Sequence, residues 1–228
     1  MYPISLNISG RLCVVIGGGK VAERKTLSLL EAGARARLIS PQLTAKLHEL
    51  AAAGAIDWLA RRFQSGDLTE ALLVFAATDS AAVNKAAAEE AKAAGKLVNV
   101  ADAPELCGFQ VPAVMRQGDL SIAVATNGRS PALAARIRQQ LEADYGPEYA
   151  ALLALLGRVR ERLLAAGSPA RRNLFENLPY EDILSWMRNG QWERARAHLS
   201  AVLGADAELR QEASALPEQA EGRRIMRA

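Results

Sequence analysis

Leu12-Cys13-Val14-Val15-Ile16 runs into Gly17-Gly18-Gly19-Lys20-Val21-Ala22, and a helical pattern leaves it. An apolar run, a glycine turn and a helix in that order have the G-x-G-x-x-A form of a dinucleotide-binding loop. Gly17 permits the tight turn. Gly19 lets the backbone approach a pyrophosphate, and Ala22 is small enough for the helix to pack closely on the strand. The first N–H groups of the helix and its dipole would face the anion. Gly17, Gly18, Gly19, Lys20 and Val21 are therefore candidate cofactor residues. A glycine-rich turn without a ligand is the alternative.

Working outward, the helix after the loop extends to about Ala32 and stops at Gly33. A second strand, Ala36 to Ile39, ends at Ser40-Pro41-Gln42. An acidic residue at that place would bind the ribose hydroxyls. Ser40, Pro41 and Gln42 stand there instead, so the residues alone do not separate NAD from NADP. Thr44 to Ala53 reads as a helix, Ile56 to Leu59 as a third strand, and Ala71 to Ala77 as a fourth that ends at Thr78-Asp79. Ser80 caps an alanine-rich helix to about Ala94, and Leu97 to Val100 is a fifth strand before Ala101-Asp102. This alternation predicts an α/β fold with a parallel, doubly wound sheet of Rossmann type. Ligands of such sheets bind at the carboxyl ends of the strands, which puts Thr78 and Asp102 beside the cofactor. Asp102 is the candidate proton acceptor. An aspartate that only caps its loop, with Pro104 following, is the competing reading.

After Pro104 the rhythm changes. Pro104 to Pro112 reads as a loop and Leu120 to Ala125 as a strand. Ser130-Pro131 opens a helix that carries Leu133, Ile137 and Leu141. Helices follow at Tyr149 to Ala166, Pro179 to Arg188 and Trp192 to Leu203, with Trp186, Met187 and Trp192 as core of a small helical unit. From Asp206 the polar, alanine-rich sequence predicts a flexible tail. The expected division is 1–113, 114–146, 147–205 and 206–228. The chain has 228 residues, a net charge of +3 and two cysteines, Cys13 and Cys107, without metal-ligand spacing. The mild charge and sparse aromatics argue against nucleic acid as a partner. No apolar window is long enough for a membrane span, and no signal peptide is visible. A cytoplasmic protein is the expectation. His48 and His198 read as structural or solvent-facing, and no metal site is predicted.

Several separated stretches together resemble one family. They are Tyr2-Pro3, Gly17 to Lys25, Ser40-Pro41, Ala76-Ala77-Thr78-Asp79 with Val83-Asn84, Val98 to Asp102, Pro112-Ala113, Arg116 to Leu120 and Ser130 to Ala134. The chain resembles the precorrin-2 dehydrogenase / sirohydrochlorin ferrochelatase family, which also forms the first half of siroheme synthases. The likeness is good to about residue 145 and looser beyond. Family members often carry Asp or Asn where this chain has Gly108.

The resemblance implies a dinucleotide-binding domain, a dimerisation segment, a small C-terminal helical domain and a homodimer. It implies NAD as cofactor and precorrin-2 as substrate, oxidised to sirohydrochlorin. Some members also insert ferrous iron into sirohydrochlorin, with iron as a second substrate. The family's key aspartate falls on Asp102. Such a substrate carries many carboxylates, and Asn127, Gly128, Arg129 and Ser130 at a helix start offer N–H groups, a hydroxyl and a guanidinium to hold them. An ordinary N-capped helix is the alternative there. Arg158, Arg160, Arg162, Arg171 and Arg172 read as a solvated face, with a share in carboxylate binding as the weaker hypothesis. Two other function classes compete. One is a nucleotide-sensing binding module whose helical tail recruits a partner. The other is a regulatory nucleotide domain of the potassium-channel type, which the missing acidic residue after the second strand disfavours.

Overall fold

The structure, a computed structural model, describes residues 1–165, 175, 178–203, 211–213 and 216. It divides into two compact units at Val111/Pro112.

The first unit is a five-stranded parallel sheet in the order β3-β2-β1-β4-β5. The strands are β1 (Leu12–Ile16), β2 (Arg35–Ile39), β3 (Asp57–Leu59), β4 (Leu73–Ala76) and β5 (Leu97–Val100). Every residue of β1 and β4 is buried, as expected for inner strands covered on both faces. Helices α1 (Lys20–Glu31) and α2 (Ala45–Ala52) cover one face and α3 (Ala81–Ala93) the other. Cys13, Val15, Leu38 and Phe75 point to the α1 side, while Val14, Ile16, Val74 and Val98 point to the α3 side. The period of two along each strand thus divides one sheet between two cores.

Local signals set the helix ends. Thr44 and Ser80 accept hydrogen bonds from Leu47 N–H and Val83 N–H, capping α2 and α3. Gly33, at φ +74°, ends α1 and lets Ala34 N–H return to Leu29 O at 3.0 Å. The strand order reverses between β1 and β4, so the crevice of the sheet opens above their carboxyl ends.

The second unit begins with an antiparallel hairpin, β6 (Ala113–Gln117) and β7 (Leu120–Val124), closed by Gly118-Asp119 with Gly118 at φ +57°. β6 was not among the expected strands. The signal for it was the two-residue Gly-Asp turn, which favours a hairpin. Helix α4 (Pro131–Asp144) packs on this hairpin. Helices α5 (Pro147–Ala165), α6 (Tyr180–Arg188) and α7 (Trp192–Leu203) share a core of Leu152, Leu155, Val159, Ile183, Met187 and Leu199. Trp192 belongs to that core, and Trp186 packs at its border under Arg194.

The expected flexible tail is corrected in part. Glu212, Ala213 and Leu216 are buried. Glu212 accepts hydrogen bonds from Arg158 Nε at 2.6 Å and Arg162 Nε at 2.7 Å. These two arginines of α5, both still partly exposed, therefore hold a carboxylate of their own chain. Arg171 and Arg172, and most of 206–228, lie outside the described residues. Among the described residues, no helix is long and apolar enough to cross a membrane.

Candidate functional site

The glycine loop leaves β1 at the strand reversal. Gly17 has φ +120°, and a Cβ there would lie 2.3 Å from the Ala77 carbonyl oxygen. Both the backbone angle and the close approach demand glycine. Gly18 is constrained as well. A Cβ on it would meet Gln42 O at 1.9 Å and Ser40 Oγ at 2.9 Å. Gly18 O also accepts Thr44 N–H at 2.9 Å, so this residue docks the loop after β2. Gly19 differs from both, because a Cβ there would meet nothing within 4 Å. It is the N-cap of α1 and makes no side-chain cap, which leaves the first N–H groups of the helix facing outward. Lys20 and Val21 are exposed beside it, and Ala22 is fully buried against the sheet.

The flanking loops are held by their own side chains. Ser40 is buried, and its hydroxyl donates to Gln42 O at 2.7 Å. Its carbonyl accepts Trp58 Nε1–H at 2.9 Å. Ser40 therefore shapes the turn, while Pro41 and Gln42 are the exposed members of the trio. Thr44 Oγ1 donates to Glu23, which Lys20 also contacts at 3.1 Å. The hydrogen bond from Thr44, then that from Lys20, hold the Glu23 carboxyl below its ordinary value.

At the end of β4, Thr78 is bound on three atoms by the buried Asn84 of α3. Thr78 N–H and Oγ1–H donate to Asn84 Oδ1 at 3.2 and 2.8 Å, and Asn84 Nδ2–H donates to Thr78 O at 2.9 Å. Reading the sequence for site residues alone missed Asn84, and its place in Val83-Asn84 four residues into a capped helix was the available signal.

Asp102 follows β5 at φ +58°, in the left-handed region that aspartate tolerates better than most residues. Its side chain is exposed. Ala101 N–H reaches Ala76 O at 2.9 Å, which ties the turn to the carboxyl end of β4. The chain then folds back along β5. Cys107 Sγ accepts Val100 N–H at 3.2 Å and donates to Val100 O at 3.4 Å, and Gly108 N–H donates to Val98 O at 2.7 Å. A Cβ at Gly108 would sit 3.6 Å from Val98 N, an ordinary contact. Phe109 meets Phe75 edge to face, and Lys25 of α1 lies 5.4 Å above the Phe75 ring. Burial pushes the Lys25 ammonium below its usual value.

In the second unit, Asn127 at φ +51° and Gly128 at φ +76° form a left-handed pair between β7 and α4. Thr126 closes the turn, taking Arg129 N–H on its carbonyl at 3.0 Å and Ser130 N–H on its hydroxyl at 3.2 Å. Ser130 Oγ caps α4 by accepting Leu133 N–H at 3.3 Å, with Pro131 in the first turn. Asn127, Gly128 and Arg129 are exposed. His48 packs edge to face on Trp58, and His198 on Trp186. Among the described residues there is no cluster of three metal-ligating side chains.

These features fit a dinucleotide. The open space at Gly19 and the outward N–H groups suit a pyrophosphate, while the strand reversal supplies the crevice. Residues 4–113 match the NAD(P)-binding family model, and residues 117–144 match the model described as sirohaem biosynthesis protein central. The siroheme synthase of Methylobacillus flagellatus is 38% identical over 213 residues, 91% of this chain and 45% of that protein. That of Nitrosococcus oceani is 37% identical over 221 residues, 96% of this chain and 46% of that protein. The chain thus spans just under half the length of these relatives. Among solved structures, one titled SirC, precorrin-2 dehydrogenase, matches with a TM-score of 0.65 at 26% identity, covering 89% of this chain and 98% of that one.

Proposed function

We propose that this chain, which belongs to the family of precorrin-2 dehydrogenases and the first half of siroheme synthases, oxidises precorrin-2 to sirohydrochlorin with NAD. The observation that carries the reading is the glycine loop at the strand reversal, open at Gly19 and closed at Gly17 and Gly18. When bound, NAD supplies the hydride acceptor.

The chain's own residues supply position and a base. Gly19, Lys20 and Val21 offer backbone N–H groups to the pyrophosphate, and Pro41 and Gln42 border the adenosine side. Thr78 borders the nucleotide from β4. Asp102 takes the proton that leaves the tetrapyrrole as the hydride departs, because an exposed carboxylate at the carboxyl end of β5 can reach a bound substrate. Asn127, Gly128, Arg129 and Ser130 hold substrate carboxylates. The Ser130 hydroxyl accepts from Leu133 N–H and keeps its own hydrogen for a ligand.

The siroheme synthase relatives suggest an extension, ferrous iron insertion into sirohydrochlorin, in which iron is a substrate and Asp102 accepts pyrrole protons. A homodimer and a cytoplasmic location complete the proposal.

Purified protein given precorrin-2 and NAD should generate the absorbance of reduced cofactor. Absence of growth with competent substrate refutes the dehydrogenase. Sirohydrochlorin with ferrous iron and no NAD tests insertion separately from oxidation.

A further inference from the structure

Asn84 stands outside the roles above, yet it is one of the few buried polar side chains in the sheet unit. It sits at 7% exposure among the alanines of α3. A lone amide there would be destabilising without partners, and its Oδ1 and Nδ2 both find theirs on a single residue, Thr78. The backbone next to Thr78 is the surface against which Gly17 turns, since a Cβ on Gly17 would stand 2.3 Å from Ala77 O and 3.3 Å from Thr78 N. Thr78 Oγ1 in turn accepts Ser80 N–H at 3.2 Å, which fixes the turn between β4 and α3. One buried amide therefore sets the whole turn that faces the glycine loop.

We propose that Asn84 is a positioning residue for the dinucleotide, holding the Thr78–Ser80 turn in the shape that receives it; this rests on the dinucleotide reading of the glycine loop. Thr78 has its N–H, C=O and hydroxyl engaged within the protein. Its part in cofactor binding is thus the shape of the turn, and Asn84 is what fixes that shape.

The amide is irreplaceable by a shape-matched apolar group, because it must accept two hydrogens and donate one. Asn84→Asp gives a graded test. Protonated, the acid can donate to Thr78 O as the amide does. Ionised, it still accepts from Thr78 N–H and Oγ1–H but faces Thr78 O with no hydrogen to donate.

The experiment is calorimetric titration of NAD into wild type, Asn84→Ala and Asn84→Asp across pH, with thermal melting of each protein and turnover at saturating NAD. Asn84→Ala should bind NAD about tenfold more weakly, a loss of about 1.4 kcal/mol, and keep its kcat within roughly twofold. Asn84→Asp should bind NAD several-fold more weakly than wild type at about pH 8, with the gap narrowing as pH falls and the carboxyl takes up its proton. Wild-type affinity in a folded Asn84→Ala, or a loss of kcat with unchanged affinity, overturns the assignment. If Asn84→Ala fails to fold, Asn84→Asp decides, and wild-type affinity at every pH overturns it. Wild type that binds no NAD brings down the dinucleotide reading itself and this assignment with it.

Discussion

Gly18 and Gly19 are adjacent, yet an added methyl group should do different things at the two positions. At Gly18 the Cβ would stand 1.9 Å from the Gln42 carbonyl oxygen; ordinary contact at about 3.5 Å requires that carbonyl to retreat by roughly 1.5 Å. The retreat stretches the Ser40 Oγ–Gln42 O bond of 2.7 Å and the Thr44 N–Gly18 O bond of 2.9 Å. Overpacking against backbone, with two hydrogen bonds strained, should lower stability by about 2–3 kcal/mol, or roughly 5–10 °C in Tm. At Gly19 the Cβ enters open space at an ordinary φ of −84°. Stability should fall by less than about 1 kcal/mol, the scale of losing a good N-cap residue. The new methyl group occupies the approach to the first helical N–H groups, so NAD affinity should fall at least about tenfold. Melting curves and calorimetric NAD titrations on Gly18→Ala and Gly19→Ala read both quantities. A Gly18→Ala protein as stable as wild type refutes the packing argument. A Gly19→Ala protein that keeps its NAD affinity refutes the placement of the pyrophosphate.

Asp102→Asn keeps a residue that tolerates φ +58° and removes only the basic oxygen. Precorrin-2 oxidation should slow by about 10²- to 10⁴-fold with NAD binding intact, and a full rate rejects the base. Arg129→Ala should raise KM for the tetrapyrrole in steady-state assays while calorimetric NAD affinity stays put; an unchanged KM removes Arg129 from the substrate site. The hydrogen bond from Arg158, then that from Arg162, hold the Glu212 carboxyl below its ordinary value. The stability this adds is in place above the ordinary carboxylate range and is lost as pH falls through the lowered value. Glu212→Gln should flatten the acid limb of Tm against pH below about pH 4.5, and an unaltered limb contradicts that linkage.

The sheet was legible because β1 and β4 are apolar runs and the helices between the strands carry their own start and stop signals. Gly33, Thr44 and Ser80 punctuate the elements where local chemistry requires. Gly17 and Ala22 could be understood from the loop pattern alone. Gly18 could not, because its constraint comes from Gln42, a residue distant in sequence and brought close only by β2. Ser40 illustrates a related limit. Sequence locates a hydroxyl at the end of a strand but does not say whether it faces a ligand or its own backbone, and it faces Gln42 O. β6 was obscured because Ala113-Val114-Met115-Arg116-Gln117 alternates weakly, with Met115 alone fully buried. Glu212 lay in a stretch whose composition suggests solvent, and a tertiary ion pair on α5 overrode that tendency. For Asp102 the strand's end was readable, while its left-handed backbone was not.

The return of the chain along β5 has a consequence for solubility. β5 is the last strand on its side of the sheet, and its residues alternate between β4 and the open flank. The groups on that flank, Val98 O together with Val100 N–H and O, are taken by Gly108 N–H and the Cys107 thiol. A strand from another molecule finds these positions filled and cannot extend the sheet there. The segment that carries Asp102 away from β5 therefore also guards the sheet against strand addition. Changes that loosen it would expose an adhesive edge, so the placement of Asp102 and colloidal stability are tied together in this loop.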